Sequence, residues 1–282
     1  MRHDTIRRVK SRIVVWLCLL SVVVALVPLA LILFFVVTQG LLSLSLDFFT
    51  HTPVPVGESG GGMANAIAGT VIMVGLGGLI AIAIGVTAGM YAAEFAHTRL
   101  ATAVRFAADT LNGVPSIVIG VFVYGVAVLP VKRFSALAGA LALGIMMIPI
   151  IARTTEELLK LVPVALREGA LALGATRGWA MFSVVLPAAA PGIITGILLA
   201  LSRIAGETAP LLFTAFNSRF FSTRVDQPMS SLTVQIFTYA ISPYQDWHRQ
   251  AWAGALVLVA IVFLCSLLAR VATRRLERMR GR

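Results

Sequence analysis

Six continuously apolar windows, at about 13–37, 66–93, 111–131, 136–152, 188–216 and 251–271, are separated by polar and charged segments. A helix rises 1.5 Å per residue and needs about 20 residues to cross about 30 Å of hydrocarbon, so each window predicts a transmembrane helix, the fourth being the shortest. None of them alternates apolar and polar residues as a porin strand does, which favours an all-α membrane protein over a barrel. The first window follows Arg2, Arg7, Arg8, Lys10 and Arg12 as a secretion signal would. It is too long for a signal-peptide core and has no small-x-small cleavage site at its end, so it reads as an uncleaved anchor.

Cations fix the expected orientation. With the N-terminus inside, 17 of the 23 Lys and Arg residues fall in inside segments: the N-terminal five, then Arg99 and Arg105, then Arg153, Lys160, Arg167 and Arg177, then Arg270, Arg274, Arg275, Arg278, Arg280 and Arg282. Both termini are accordingly expected in the cytoplasm. The segment 38–65, with Pro53, Pro55 and the run Ser59-Gly60-Gly61-Gly62, reads as an irregular external loop. The segment 217–250 is a second external stretch whose part 232–241 is amphipathic or re-entrant. Residues 1–65 thus form an anchor helix with its loop, and residues 66–282 a membrane core.

Composition agrees. Hydrophobic residues make up 59% of 282, charged residues 12%, and the mean hydropathy is +0.93, more than one soluble core can bury. The net charge of +11 sits between apolar runs instead of along one face, which excludes a nucleic-acid stripe and fits membrane topology. Cys18 and Cys265 lie inside apolar windows, and His3, His51, His97 and His248 lack metal-ligand spacing, so neither a disulfide framework nor a metal site is expected. No glycine precedes Lys10, Lys132 or Lys160, so there is no P-loop and the chain is not expected to bind ATP.

The fourth and fifth windows are joined by a segment that reads Arg167-Glu168-Gly169-Ala170-Leu171-Ala172-Leu173-Gly174-Ala175-Thr176-Arg177-Gly178-Trp179 and ends in Val184-Val185-Leu186-Pro187. A helix over about 164–173 stopping at Gly174, and a second short helix with Thr176 as N-cap, would make a compact cytoplasmic knob. Here the chain resembles the permease subunits of bacterial ABC importers, whose hallmark is Glu-Ala-Ala, three residues, Gly, nine residues and Ile-x-Leu-Pro. Glu168, Ala170, Gly174, Leu186 and Pro187 match it; Gly169 and Val184 depart from its alanine and isoleucine, the glycine weakening the helix by about 1 kcal/mol. The resemblance implies a coupling helix, with Glu168, Gly169, Ala170, Gly174, Leu186 and Pro187 docking on a separate ATPase that holds ATP and Mg. This chain itself would carry no cofactor and be no enzyme. An ordinary amphipathic cytoplasmic loop is the plainer reading of the same residues.

Deep in the fifth window stands Ser202-Arg203-Ile204-Ala205-Gly206-Glu207-Thr208-Ala209-Pro210. Arg203 lies sixteen residues beyond Pro187, about 24 Å along a helix. Charges at that depth cost at least about 2.5 kcal/mol unless paired or hydrated, which directs Arg203 and Glu207 to the protein interior or a water path. Four residues apart on a helix, they can pair as a self-neutralised packing contact; the alternative is an oxyanion path made of Arg203, Glu207 and Thr208, in which the guanidinium donates to the anion and Glu207 keeps it from being held too tightly.

The stretch Arg-x-x-Gly-Glu-Thr-Ala-Pro-Leu-Leu-Phe-Thr-Ala at 203–215 resembles the A-type permeases of phosphate-specific (Pst) importers. So do Leu111-Asn112-Gly113-Val114-Pro115-Ser116-Ile117-Val118, Gly144-Ile145-Met146-Met147-Ile148-Pro149 with Arg153-Thr154-Thr155-Glu156, and the stretch from Tyr239-Ala240 to Trp252-Ala253. Together they cover most of the chain from about Gly57 onward, and the first helix is generic. The resemblance implies a type I importer fold in the bacterial inner membrane and phosphate as cargo. It also implies a second, C-type permease, a dimeric ATPase and an external phosphate-binding protein, with lipid as the surroundings and helix one wrapped around the partner permease. The coupling motif is shared by importers of molybdate or sulfate, which leaves another oxyanion open. An ion-coupled transporter would show inverted repeats and more intramembrane carboxylates, and a mere scaffold would leave Arg203 and Glu207 unexplained.

Three smaller patterns complete the reading. Ala81, Gly85 and Gly89, and Gly192 with Gly196, have the spacing of close helix contacts. Pro115, Pro149 and Pro210 mark bends or helix ends. Trp16, Trp179, Trp247 and Trp252 fall near the expected interfaces.

Overall fold

The computed structural model describes residues 2–55, 58 and 60–280, with the side chains of residues 2–6, 8, 9, 269 and 272–280 outside the described set. Val56, Gly57 and Ser59, the side chains of Arg2, His3, Arg8, Arg274, Arg275, Arg278 and Arg280, and all of Arg282 therefore lie outside the described residues.

The described residues form eleven helices: α1 Arg2–Ser43, α2 Leu46–Thr50, α3 Ala64–Glu94, α4 Arg99–Gly113, α5 Ser116–Val131, α6 Ala136–Lys160, α7 Val164–Ala172, α8 Arg177–Ile204, α9 Ala209–Thr214, α10 Leu232–Ala240 and α11 Gln245–Arg280. Five of them (α1, α3, α6, α8, α11) are long and apolar enough to span a bilayer, and α4 with α5 makes a sixth span only as a bent pair.

The third window departs from its expected form. Its first residues close α4, and the chain turns by 105° before α5. Pro115 has no N–H and drives Val114 into an extended conformation (φ −73°, ψ 128°), so one straight helix cannot run through. The fourth window is longer than its apolar part, because the charged turns to Lys160 stay helical. The fifth is broken after Ile204 and resumes at Ala209, and at its other end it starts at Arg177, with no separate short helix before it.

Hydroxyls cap the helix starts: Thr98, Ser135, Thr176 and Ser231 each accept the backbone N–H three residues on, at 3.2 Å. Two π turns, Tyr124–Val128 and Met181–Val185, each end two residues before a proline, Pro130 and Pro187. A proline frees the carbonyl four residues earlier, and a wider turn accommodates it.

Packing centres on the parallel pair α3–α6, in which Gly77, Gly85 and Gly89 meet Ala140, Ile148 and Ala152 in turn. Met73, Leu143, Met147, Ile151 and Ile204 are fully buried at its centre. The small residues on α3 make this approach possible: a Cβ on Gly85 would lie 2.9 Å from that of Ile151, and one on Gly89 would lie 2.5 Å from the carbonyl oxygen of Ala152. Likewise Gly192 and Gly196 on α8 receive Leu158 and Thr154 of α6. In contrast, α1 touches the bundle chiefly through α11, with Gly40 against Leu256 and Val36 buried, and its other described apolar side chains stand exposed. The short helix α10 is packed on α11 and α3, with Leu232, Val234 and Tyr239 buried. Pro149 lies within α6, Pro115 is the N-cap of α5 and Pro210 sits in the first turn of α9.

Candidate functional site

One end of the bundle collects the cations of α4, α6 and α7. Glu156, 1% exposed, is ion-paired to Arg105 of α4 and to Arg153 and Lys160 of its own helix. Arg105 also donates to the carbonyls of Ala92 (2.7 Å) and Ala96 (3.0 Å), and Arg153 reaches Asp109 at 3.0 Å. A buried carboxylate is tolerated only when it is paired and hydrogen-bonded, and here one carboxylate ties together the last turn of α3, α4 and α6.

From this cation-rich end projects the turn between α7 and α8. Leu173 closes α7 and Gly174 takes φ +87°, where the N–H of Gly174 donates to Leu171 O (3.0 Å) and that of Ala175 to Ala170 O (3.1 Å). That pair of bonds satisfies two terminal carbonyls and demands a residue at ease in the left-handed region. Thr176 then caps α8. The turn is held to the bundle by Arg167, whose Nη1 is 3.0 Å from Glu94 Oε2 at the end of α3.

Between the two arms lies an open apolar groove of about 730 Å³, lined by Gly169, Ala170, Leu173, Gly174, Trp179 and Val184 among others. Leu173 is 92% exposed and Trp179 58%. Gly169 faces open space where an added methyl would touch nothing, so its departure from alanine widens the groove without altering the fold. Glu168 is exposed on α7. Leu186 and Pro187 lie further along α8 and do not line the groove; Leu186 packs toward Leu159 and Met181 instead.

A second, smaller cavity of about 250 Å³ sits where the two broken spans meet. Its polar walls are Asn112 at the end of α4, Ser116 at the start of α5, Arg203 in the last turn of α8 and Glu207 in the break that follows; Ile119, Met146, Ile150 and Ile204 complete it. The Arg203–Glu207 pairing that the spacing allows does not form: among the described residues no ion pair within 4.0 Å joins them. The helix ends at Ile204, so four residues no longer amount to one turn. The break is itself fixed, since the N–H of Glu207 donates to Ile204 O (3.0 Å) and its carbonyl accepts the Thr233 hydroxyl (2.9 Å). Thr208 does not line the cavity; its carbonyl accepts the N–H groups of Leu211 and Leu212 and starts α9. Asn112 and Ser116 were not read as site residues from sequence. Their signal was a polar pair flanking a proline inside an apolar window.

Comparison with known proteins places this architecture. The family model for binding-protein-dependent transport system inner membrane components matches residues 85–281. The phosphate transport system permease protein PstA of Yersinia pestis is 46% identical over 267 residues, covering 94% of this chain and 90% of that protein. Its counterpart in Haemophilus influenzae is 43% identical over 94% of both chains, and the probable one in Methanocaldococcus jannaschii 38% over 94% and 93%. Among solved structures, an inward-facing form of the MetNI methionine ABC transporter superposes with a TM-score of 0.64 at 21% identity, over 76% of this chain and 95% of that one. The all-helical bundle with its broken spans is thus the type I ABC importer permease fold, and the chain belongs to the binding-protein-dependent inner-membrane transport components, among the PstA-type phosphate transport system permeases.

Proposed function

We propose that this chain is the membrane-spanning permease subunit of an ATP-driven phosphate importer, a transport component and not an enzyme. The observation that carries the reading is the alignment of 94% of the chain with proteins named as phosphate transport permeases. In this reading the cation-rich end faces the cytoplasm, as the distribution of Lys and Arg favours. The groove between α7 and α8 receives a separate ATPase subunit, which binds ATP and Mg. An exposed apolar patch of this size on a projecting turn suits burial against a partner. Closure of the ATPase dimer then pulls on α7, and the Arg167–Glu94 and Glu156 contacts pass the displacement to α3, α4 and α6. A second permease completes the pathway, an external binding protein delivers phosphate, and the anion passes Arg203 and Glu207. Residues 1–65 serve as the anchor and residues 66–282 as the permease core.

Reconstitution with the ATPase, the second permease and the binding protein tests the assignment. Phosphate-loaded binding protein is expected to stimulate ATP hydrolysis. Stimulation by a molybdate- or sulfate-loaded protein in its place would move the cargo to that oxyanion.

A further inference from the structure

We propose that Glu207 makes the cavity between the broken spans selective for an oxyanion that still carries a proton; this rests on the reading of that cavity as part of the pathway. The cavity walls hold three donors, the Arg203 guanidinium, the Asn112 amide and the Ser116 hydroxyl, and one group that only accepts, the Glu207 carboxylate. Had Arg203 and Glu207 paired, each would neutralise the other and the walls would present little net character to an anion. They do not pair, so a guanidinium and a carboxylate each remain available to a bound ligand.

A carboxylate in an anion site is a paradox for sulfate or molybdate. Both are fully deprotonated at neutral pH, have nothing to donate, and meet only like-charge repulsion there. Inorganic phosphate and arsenate have three ionisable protons, and the third leaves only far above neutral pH, so both still carry an O–H there. Their O–H donates to the Glu207 carboxylate while their remaining oxygens accept from Arg203, Asn112 and Ser116. Because the Glu207 backbone is tied to Ile204 and Thr233, its carboxylate starts from a fixed point and not from a loose loop. Sites built to hydrogen-bond a ligand hydroxyl reject the analogue that lacks it by up to about 10⁴-fold when fully enclosed; for a partly open cavity a factor of about ten to a hundred is expected.

The test uses the complete importer in nanodiscs without binding protein, so that the binding protein's own selectivity does not intervene. Retained radiolabelled phosphate is displaced with arsenate, sulfate or molybdate. Wild type is expected to be displaced by arsenate at least about tenfold more effectively than by sulfate, and Glu207→Gln, or Glu207→Ala if the first variant does not assemble, to bring the two within about threefold. Glu207→Asp, which keeps the acceptor, should keep the preference. An unchanged preference in the Gln and Ala variants overturns the selectivity role. Arg203→Gln that holds phosphate as wild type does, or wild type that retains none at millimolar phosphate, counts instead against the pathway reading on which the proposal rests.

Discussion

Gly75 and Gly89 lie on the same helix and differ in what a methyl group would meet. At Gly75 there is open space, at Gly89 the backbone of α6. Gly75→Ala should be neutral or stabilise by up to about 1 kcal/mol through helix propensity. Gly89→Ala should destabilise by about 1–3 kcal/mol, because a backbone carbonyl cannot swing aside as a side chain can. Thermal unfolding in detergent distinguishes them, and equal shifts would remove the close-contact account of the α3 stripe. The spacing of Ala81, Gly85 and Gly89 was legible in the sequence, whereas Gly75 and Gly89 look alike there. Glu156 was likewise visible only as one residue of a family stretch, since Arg105 lies 51 positions away and only packing brings it there. Arg203 and Glu207 show the converse: the four-residue spacing allows a pair, and the end of α8 removes that alternative.

Among the elements, the turn between α7 and α8 was the most legible, because Gly174 and Thr176 each do a job that few residues can do. What sequence left out was its anchor on α3. The Arg167–Glu94 pair is partly shielded, so its loss should cost about 1 kcal/mol, a factor of about five in the population of correctly placed turns. Arg167→Glu is therefore expected to cut binding-protein-stimulated ATP hydrolysis about fivefold while basal hydrolysis by the assembled complex stays constant. The double exchange with Glu94→Arg should restore most of it; no rescue would mean that the pair does not hold the turn. Helix breaks were the least legible feature. Apolar windows 111–131 and 188–216 run on through Pro115 and Gly206, because hydropathy reports what lipid tolerates and is blind to where the backbone ladder stops. Those breaks bring Asn112, Ser116, Arg203 and Glu207 to one cavity.

For the whole molecule, the helical plan of five spans and one bent pair followed from the length and unbroken apolar character of the windows, and the permease family from the turn and the residues around Arg203. The face of α1 turned away from α11 carries exposed apolar side chains that need lipid or a partner chain to cover them. The account of an ATP-driven importer unites these features. It is tested most directly by uptake of radiolabelled phosphate into proteoliposomes holding the full importer, with loaded binding protein outside and ATP inside with the ATPase. Accumulation should require ATP and binding protein, and should be abolished by Glu168→Lys with Gly174→Asp although the subunits still assemble. Accumulation without ATP, or undiminished in that variant, would contradict it.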